Sequence, residues 1–211
     1  VVGKLASGML ATLMIFVLTL VFSLPLGMLL MFIRISKVKL VRWIAKIYIS
    51  IMRGTPLMLQ LLVVFFGPYY IFGISLSYSY RFYAVIIGFA LNYAAYFAEI
   101  FRGGIESIPK GQYEAASMLG MSRLQTFFRI VLPQVVKRVI PATANEVIVL
   151  VKDTSLANVI AFAEITLKSK QMMNTYSSIA PLFVAGLFYF VLNAVVTFAF
   201  AFIEKKFNYY K

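Results

Sequence analysis

The sequence contains no cysteine and no histidine. Their absence excludes disulfides, Cys/His zinc sites, haem ligation by histidine and histidine-based acid–base chemistry. Acidic residues are scarce: seven Asp+Glu stand against 20 Lys+Arg, a net charge of +13. Charged residues together make up only 13% of the 211, where a soluble domain averages about 25%. No nucleophile–base pair or metal-ligand constellation can be assembled from what remains, so neither an enzyme nor a metal site is expected. No G-x-x-x-x-G-K-[ST] phosphate loop occurs, so any ATP must be bound by another chain. Internal repeats, low-complexity tracts and flexible linkers are missing too, which makes one domain over residues 1–211 the simplest organisation.

What is present is apolar. Hydrophobic residues account for 62% of the chain, against about 45–50% in soluble domains. A soluble core cannot hide that much apolar surface, so the chain reads as an integral membrane protein. In a soluble protein the excess of basic residues would point to nucleic acid. Here no basic stripe alternates with aromatics on a soluble surface, and no nucleic-acid partner is expected.

A membrane-spanning helix needs roughly 20 mainly apolar residues. Five candidates occur, at about residues 5–33, 56–72, 82–101, 139–163 and 179–203. The first is too long for the apolar core of a signal peptide, and Pro25 can kink it. Between spans one and two lie Arg34, Lys37, Lys39, Arg42, Lys46 and Arg53. Between spans three and four lie Arg102, Lys110, Arg123, Arg129, Lys137 and Arg138, and after span five come Lys205, Lys206 and Lys211. These are 15 of the 20 basic residues. The other side keeps Lys4, Arg81, Lys168 and Lys170, and Lys152 falls inside span four. Basic residues collect in cytoplasmic loops, so the N-terminus is expected outside and the C-terminus in the cytoplasm. Tyr69, Tyr70 and the tyrosines through Tyr83 fit an outer aromatic belt; the other aromatics and methionines read as lipid-facing or packing residues.

Residues 36–50 (SKVKLVRWIAKIYIS) set Val38, Val41, Trp43, Ile44 and Ile47 among basic residues at roughly helical spacing. Two readings are open: an interfacial amphipathic helix, or the solvated start of a long second helix.

The stretch 109–134 is a polar interruption between apolar runs. Pro109 and Gly111 break the preceding helix. A short helix over about 112–119 places Ala115, Met118 and Leu119 on one face, with Glu114 in its first turn, where a negative charge suits the dipole. Gly120 sits where a C′ glycine would. Ser122 and Gln125 have the spacing of a capping box, opening a second helix with Leu124, Phe128, Val131 and Val135 on one face and Pro133 straining its far end. From the residues alone, this is either an ordinary loop or a docking element for a cytoplasmic partner.

The spacing of Glu114, Ala115, Ala116, Gly120, Ile130, Leu132 and Pro133 resembles the EAA motif of permease subunits of binding-protein-dependent ABC importers. Arg53-Gly54-Thr55-Pro56-Leu57, the run from Ala95 to Ile105, Gly111-Gln112 and Lys152-Asp153-Thr154-Ser155-Leu156 resemble signatures of the polar amino-acid branch (histidine/glutamine/arginine-type permeases). The resemblance covers nearly the whole chain. It departs at Ser50-Ile51-Met52, where relatives often carry an acidic residue, which leaves the substrate's identity open. The resemblance implies a type I ABC importer permease: an all-α membrane protein of about five transmembrane helices with a cytoplasmic coupling helix. Glu114, Ala115, Ala116, Leu119 and Gly120 would couple to the ATPase within an EAA loop at about 109–134. It further implies two copies of an ABC ATPase subunit holding ATP and magnesium, a second permease chain in a homo- or heterodimer, and an extracellular or periplasmic substrate-binding protein. The substrate would be an amino acid and the location the bacterial inner membrane.

Ionisable groups inside a membrane mark a cavity or pathway. In span four Glu146, Leu150 and Asp153 share a face, with Asn145, Val149 and Lys152 on the adjacent stripe. These groups either line a path or pair internally, as Lys152 would with an acidic neighbour. Thr154 and Ser155 can hydrogen-bond a substrate or their own helix. In span three Asn92, Tyr96 and Glu99 share a stripe; Asn92 can grip an amino acid or bridge helices, and Glu99 with Arg102 reads as a structural or gate ion pair. Gln60 is a further lining candidate. Thr55-Pro56 has the form of an N-cap followed by proline at N1. Lys168 and Lys170 either meet an acidic binding protein or are simply solvated. A passive channel or ion-coupled carrier, and an ABC permease for another solute such as an osmolyte, are the alternative functions.

Overall fold

The computed structural model describes residues 2–207. Lys211 and the side chain of Lys4, both used in the charge count, lie outside the described part. The chain is helical throughout, with no strand among the described residues. The helices are α1 (Val2–Arg34), α2 (Lys39–Gly54), α3 (Leu57–Phe72), α4 (Tyr80–Glu106), α5 (Lys110–Met118), α6 (Arg123–Thr126), α7 (Leu132–Asp153), α8 (Ile165–Tyr176) and α9 (Ala180–Phe207). A π turn, Phe127–Val131, joins α6 to α7, and a 3₁₀ segment, Thr154–Ile160, follows α7.

Three of these helices, α1, α4 and α9, are long and apolar enough to cross a membrane alone; α2 and α3 qualify only as a pair bent by 109°. That bend separates α2 from α3 and makes α2 a helix in its own right, not the start of a long second one. α3 has 16 residues, about 24 Å at 1.5 Å per residue. α7 has 22 residues and so a spanning length of about 33 Å, but it carries the charges already noted. The expected fourth span, 139–163, is corrected here. α7 begins earlier, at Leu132, and stops at Asp153; the chain tightens into the 3₁₀ segment and leaves it through Ala161 in the left-handed region (φ 56). α1 runs through Pro25 without ending.

α4 is the buried centre of the bundle, its interior positions including Ala84, Phe89, Tyr93, Ala94 and Phe97. α1 lies along it through small residues at helical spacing: Thr12, Thr19, Ser23 and Gly27 are buried with Ile15. At Gly27 a Cβ would meet Phe97 Cβ at 2.8 Å and the Ala94 carbonyl oxygen at 3.1 Å, so the backbones approach as only glycine permits. By contrast α9 turns Phe183, Leu187, Phe190, Phe198 and Phe202 outward, as a lipid-facing helix does.

Pro68, inside α3, and Pro56, at the break between α2 and α3, each leave a carbonyl short of a donor, and side chains supply it. In a helix the N–H of residue i bonds the carbonyl of residue i−4, and proline has no N–H. Pro68 therefore leaves the Val64 carbonyl without its donor, and the Tyr80 hydroxyl donates to it at 2.9 Å. Pro56 leaves the Met52 carbonyl orphaned in the same manner; its replacement donors lie in the candidate site.

Candidate transport path and coupling segment

At the basic end of the bundle, α5 starts earlier than its apolar pattern predicts, because Pro109 is its N-cap. The first turn therefore contains no acidic residue, and Glu114 lies one turn further on, where the dipole argument no longer applies. The C-terminus follows the expected break. Gly120 N–H donates to the Ser117 carbonyl and Met121 N–H to the Ala116 carbonyl, each at 3.0 Å. This Schellman pair needs a left-handed residue at C′, and Gly120 has φ +72. Ser122 then caps α6 reciprocally with Gln125: its hydroxyl accepts from the Gln125 amide and its own amide donates to Gln125 Oε1. Of the motif residues, Ala116 is fully buried, Glu114 and Ala115 are exposed, and Met118 and Leu119 are 89% and 78% exposed.

The second helix does not present the expected single face. Val131 and Val135 are buried beside Ile108, while Leu124 and Phe128 point outward. The π turn at Phe127–Val131 shifts the phase between them. Pro133 follows it at the start of α7, where its missing N–H and bulky ring disturb the regular ladder. Pro133 thus lies near the beginning of the long helix, not at its end. Two side chains tie the segment to the bundle: Gln134 Nε2 lies 3.4 Å from Gln112 Oε1 of α5, and Arg138 donates to the Ser107 carbonyl after α4.

The α2–α3 bend is bracketed by polar side chains. Asn92, 4% exposed on α4, donates to the Met52 carbonyl at 3.0 Å and to Gln60 Oε1 at 2.9 Å. Gln60 Nε2 donates to the same Met52 carbonyl at 2.9 Å and to Thr55 Oγ1 at 2.8 Å. These bonds replace the donor removed by Pro56. Gln60 and Asn92 therefore hold the corner of the chain. Thr55 does not cap α3, whose N-cap is Pro56; its hydroxyl bonds back to the Ile51 carbonyl at 2.8 Å and closes α2.

Next to this corner, α7 presents its acidic face. Leu150 is fully buried, with Glu146 and Asp153 partly buried on either side. Tyr93 donates to Asp153 Oδ2 at 2.8 Å. Arg53 lies 5.2 Å above the Tyr96 ring and within electrostatic reach of Glu146. Lys152 is exposed with Asn145 and Val149 and has no ion-pair partner among the described residues. Thr154 is buried and donates to the Val151 carbonyl at 2.7 Å, and the Ser155 carbonyl accepts from Asn158. The structure thus brings Glu146 and Asp153 together with Tyr93, Tyr96 and Arg53, while Gln60 and Asn92 serve the bend.

Glu99 and Arg102 are paired. Arg102 Nε lies 3.1 Å from both Glu99 oxygens, Arg34 Nε lies 3.7 Å from Glu99 Oε1, and Arg102 also bonds Glu106. The resulting chain of charges fastens the end of α1 to α4.

At the opposite end sits Glu164, which sequence reasoning missed. It is fully buried and caps α8, accepting from the Thr166 and Leu167 amides at 2.7 and 2.8 Å. Tyr189 of α9 donates to it at 3.0 Å. Burial pushes its carboxyl up from the usual range, while the amides and Tyr189 hold it down. A lone glutamate among apolar residues (Ala161-Phe162-Ala163 before it, Ile165 after) carries no periodic signal; its place just ahead of a helix was the cue. Lys168 bonds Ser7, and Lys170 bonds Asn158 Oδ1 at 3.1 Å.

The family of binding-protein-dependent transport system inner membrane components matches residues 23–209. The chain belongs to this family. It is 38% identical to the arginine transport system permease protein ArtQ of Bacillus subtilis, over 94% of this chain and 90% of that protein. It is 36% identical to a putative glutamine transport system permease protein GlnP of Rickettsia felis, over 96% and 92% of the two chains. Among solved structures, an amino acid ABC transporter with histidines superposes with a TM-score of 0.89 at 31% identity, over 97% of this permease and 94% of that chain. The MetNI methionine ABC transporter shares the fold at a TM-score of 0.71 and 20% identity, over 98% and 95% of the chains.

Proposed function

We propose that this permease subunit forms the path of an ATP-driven amino-acid importer in the bacterial inner membrane and is driven through α5. The observation that carries the reading is the uncovered apolar end of α5, Met118 and Leu119, on a short helix closed by a left-handed glycine. Single exposed apolar residues are ordinary. Two adjacent ones on a rigid helix between charged segments form a docking knob. The relatives' names supply the substrate class: arginine, glutamine and, in a 39%-identical permease of Bacillus subtilis, L-cystine.

In this reading the permease pairs with a second copy or a related chain, because one bundle of five spans is too small to enclose a gated path. Two ATPase subunits receive the α5 knobs and hold ATP and magnesium; this chain does no ATP chemistry. Closure of the ATPase pair displaces α5. The Gln112–Gln134 contact and the continuous α6–π–α7 rod carry that displacement into α7, α4 and α9, switching access from inward to outward. A substrate-binding protein delivers the amino acid at the tyrosine-rich face, outside with the N-terminus, while the basic end and the C-terminus face the cytoplasm. Glu146 and Asp153 line the path with Ser155 beyond them, Thr154 bracing the turn behind, and the Arg34–Glu99–Arg102 chain holds the inner gate.

Gly120→Asp tests the coupling. A Cβ at Gly120 meets no atom within 4 Å, so Asp is excluded by no clash; it strains the left-handed backbone that closes α5 (φ +72) and places a charge at the docking end. The expected result is loss of ATPase co-purification and of ATP-driven uptake; retention of both refutes the coupling role. Glu146→Gln and Asp153→Asn are expected to impair uptake with assembly intact, and normal uptake by both removes them from the path.

A further inference from the structure

The helix α2 has three distinct sides. Ala45 and Ile49 are buried, Ile49 against Met31 of α1 and Ala95 and Ala98 of α4. Leu40, Trp43, Ile44, Ile47 and Ile51 form an outward apolar stripe; Trp43 is 60% exposed. Between these two sides, Lys39, Arg42 and Lys46 recur at i, i+3 and i+7 and so form a third stripe. Together with Arg34 at the end of α1 and with Leu40 and Trp43, they line a cleft of about 500 Å³. Lys39, Arg42 and Lys46 have no ion-pair partner among the described residues; Arg34 alone approaches an acid, Glu99.

Such a pattern is costly unless an anion compensates it. A soluble acidic partner would leave the apolar stripe in water. A neutral lipid would cover the stripe but leave the cations unmatched. If α3 stands near the membrane normal, the 109° bend brings α2 close to the membrane plane. In that pose the apolar stripe enters the acyl region and the basic stripe stands at headgroup depth, with Trp43 at the boundary that its amphipathic ring prefers.

We infer that the Arg34–Lys39–Arg42–Lys46 cleft is a binding site for the headgroup of an anionic phospholipid, whose acyl chains lie along Leu40, Ile44 and Ile47. Arg34 apart, which also meets Glu99, the site shares no residue with the path or with α5, and its α2 cations stand whether or not the transport reading does.

Trp43 is the one tryptophan of the sequence, so the site contains its own probe. The assembled protein is reconstituted in vesicles of fixed composition. There either phosphatidylglycerol or phosphatidylcholine carries brominated acyl chains that quench indole fluorescence. A Trp43→Phe preparation supplies the background of tryptophans in partner subunits. The attraction of a basic residue to an anionic surface corresponds to roughly fivefold enrichment at low salt. Brominated phosphatidylglycerol is therefore expected to quench Trp43 at about one-fifth the mole fraction that brominated phosphatidylcholine requires. In Lys39→Gln/Arg42→Gln/Lys46→Gln the two lipids should quench alike. Equal quenching in the unmodified protein overturns the site. So does a preference that survives the triple substitution. Absence of quenching by either lipid also overturns it, because protein, not lipid, would then cover Trp43.

Discussion

Replacing Asn92 by leucine separates two roles that the sequence leaves open for this residue, gripping substrate and bracing the chain. The structure gives Asn92 Nδ2 two acceptors, the Met52 carbonyl and Gln60 Oε1. A net contribution of about 0.5–1.5 kcal/mol per hydrogen bond makes the pair worth about 1–3 kcal/mol. Interhelical bonds inside membrane proteins average only about 0.6 kcal/mol, which draws the sum toward the lower end. Leucine also leaves Gln60 Oε1 without a donor in a site where the residue it replaces is 4% exposed. Working toward 2 kcal/mol in total, the midpoint of thermal unfolding should fall by about 4–8 °C for a chain of this size. The assay is thermal unfolding of the purified protein in detergent, run beside uptake at a range of substrate concentrations. Bracing predicts a lower midpoint with the substrate concentration for half-maximal uptake unchanged in whatever protein remains folded. An unchanged midpoint with weakened substrate dependence would refute the bracing argument and restore Asn92 to the path.

Tyr80→Phe removes the donor that serves the Val64 carbonyl beneath Pro68 and should lower the midpoint by a comparable amount, about 1–3 kcal/mol of stability; an unchanged midpoint would show that the carbonyl finds another donor. Gly27→Ala drives a Cβ against backbone atoms of α4 and should cost about 1–3 kcal/mol despite a better helix propensity. Gly103→Ala, with nothing within 4 Å of its Cβ, should be neutral or slightly stabilising. Equal midpoints for the two glycine variants would deny the close α1–α4 contact. Glu164→Ala should speed amide exchange at Thr166 and Leu167, since a lost N-cap costs about 1 kcal/mol; unaltered exchange would mean that α8 does not depend on its cap.

Much of the architecture was readable from the chain because membrane spans announce themselves by length and apolar content. The polar segment 109–134 was readable from local punctuation: the Gly120 break and the Ser122–Gln125 box depend only on neighbours in sequence. Features set by long-range geometry were not. Gln60 and Asn92 looked like lining residues because an amide among apolar residues signals function, yet Pro56 had already created a carbonyl for them to satisfy. That link joins positions 32 apart and leaves no periodic trace. The face shared by Leu124 and Val131 failed for a different reason: a strict 3.6-residue period was applied across a π turn. Glu164 escaped notice because the partner that ties it to the bundle, Tyr189, lies 25 positions further on, in another helix.

The π turn has a consequence for how this permease tolerates change in length. Each helical residue turns the chain by about 100°. Deleting a single residue between Phe127 and Val131 to restore an ordinary helix would leave the composition nearly untouched and every α7 contact in place. Because the π turn takes up its extra residue locally, that deletion would leave Leu124 and the end of α5 facing nearly as before, whereas the same deletion within the regular helix of α7 would swivel them by about 100°. The orientation of the 109–134 segment is thus more sensitive to a change of length in the regular helix than to one in the π turn itself. The π turn is thus a place where the stretch between α5 and α7 can lose a residue without turning one end against the other.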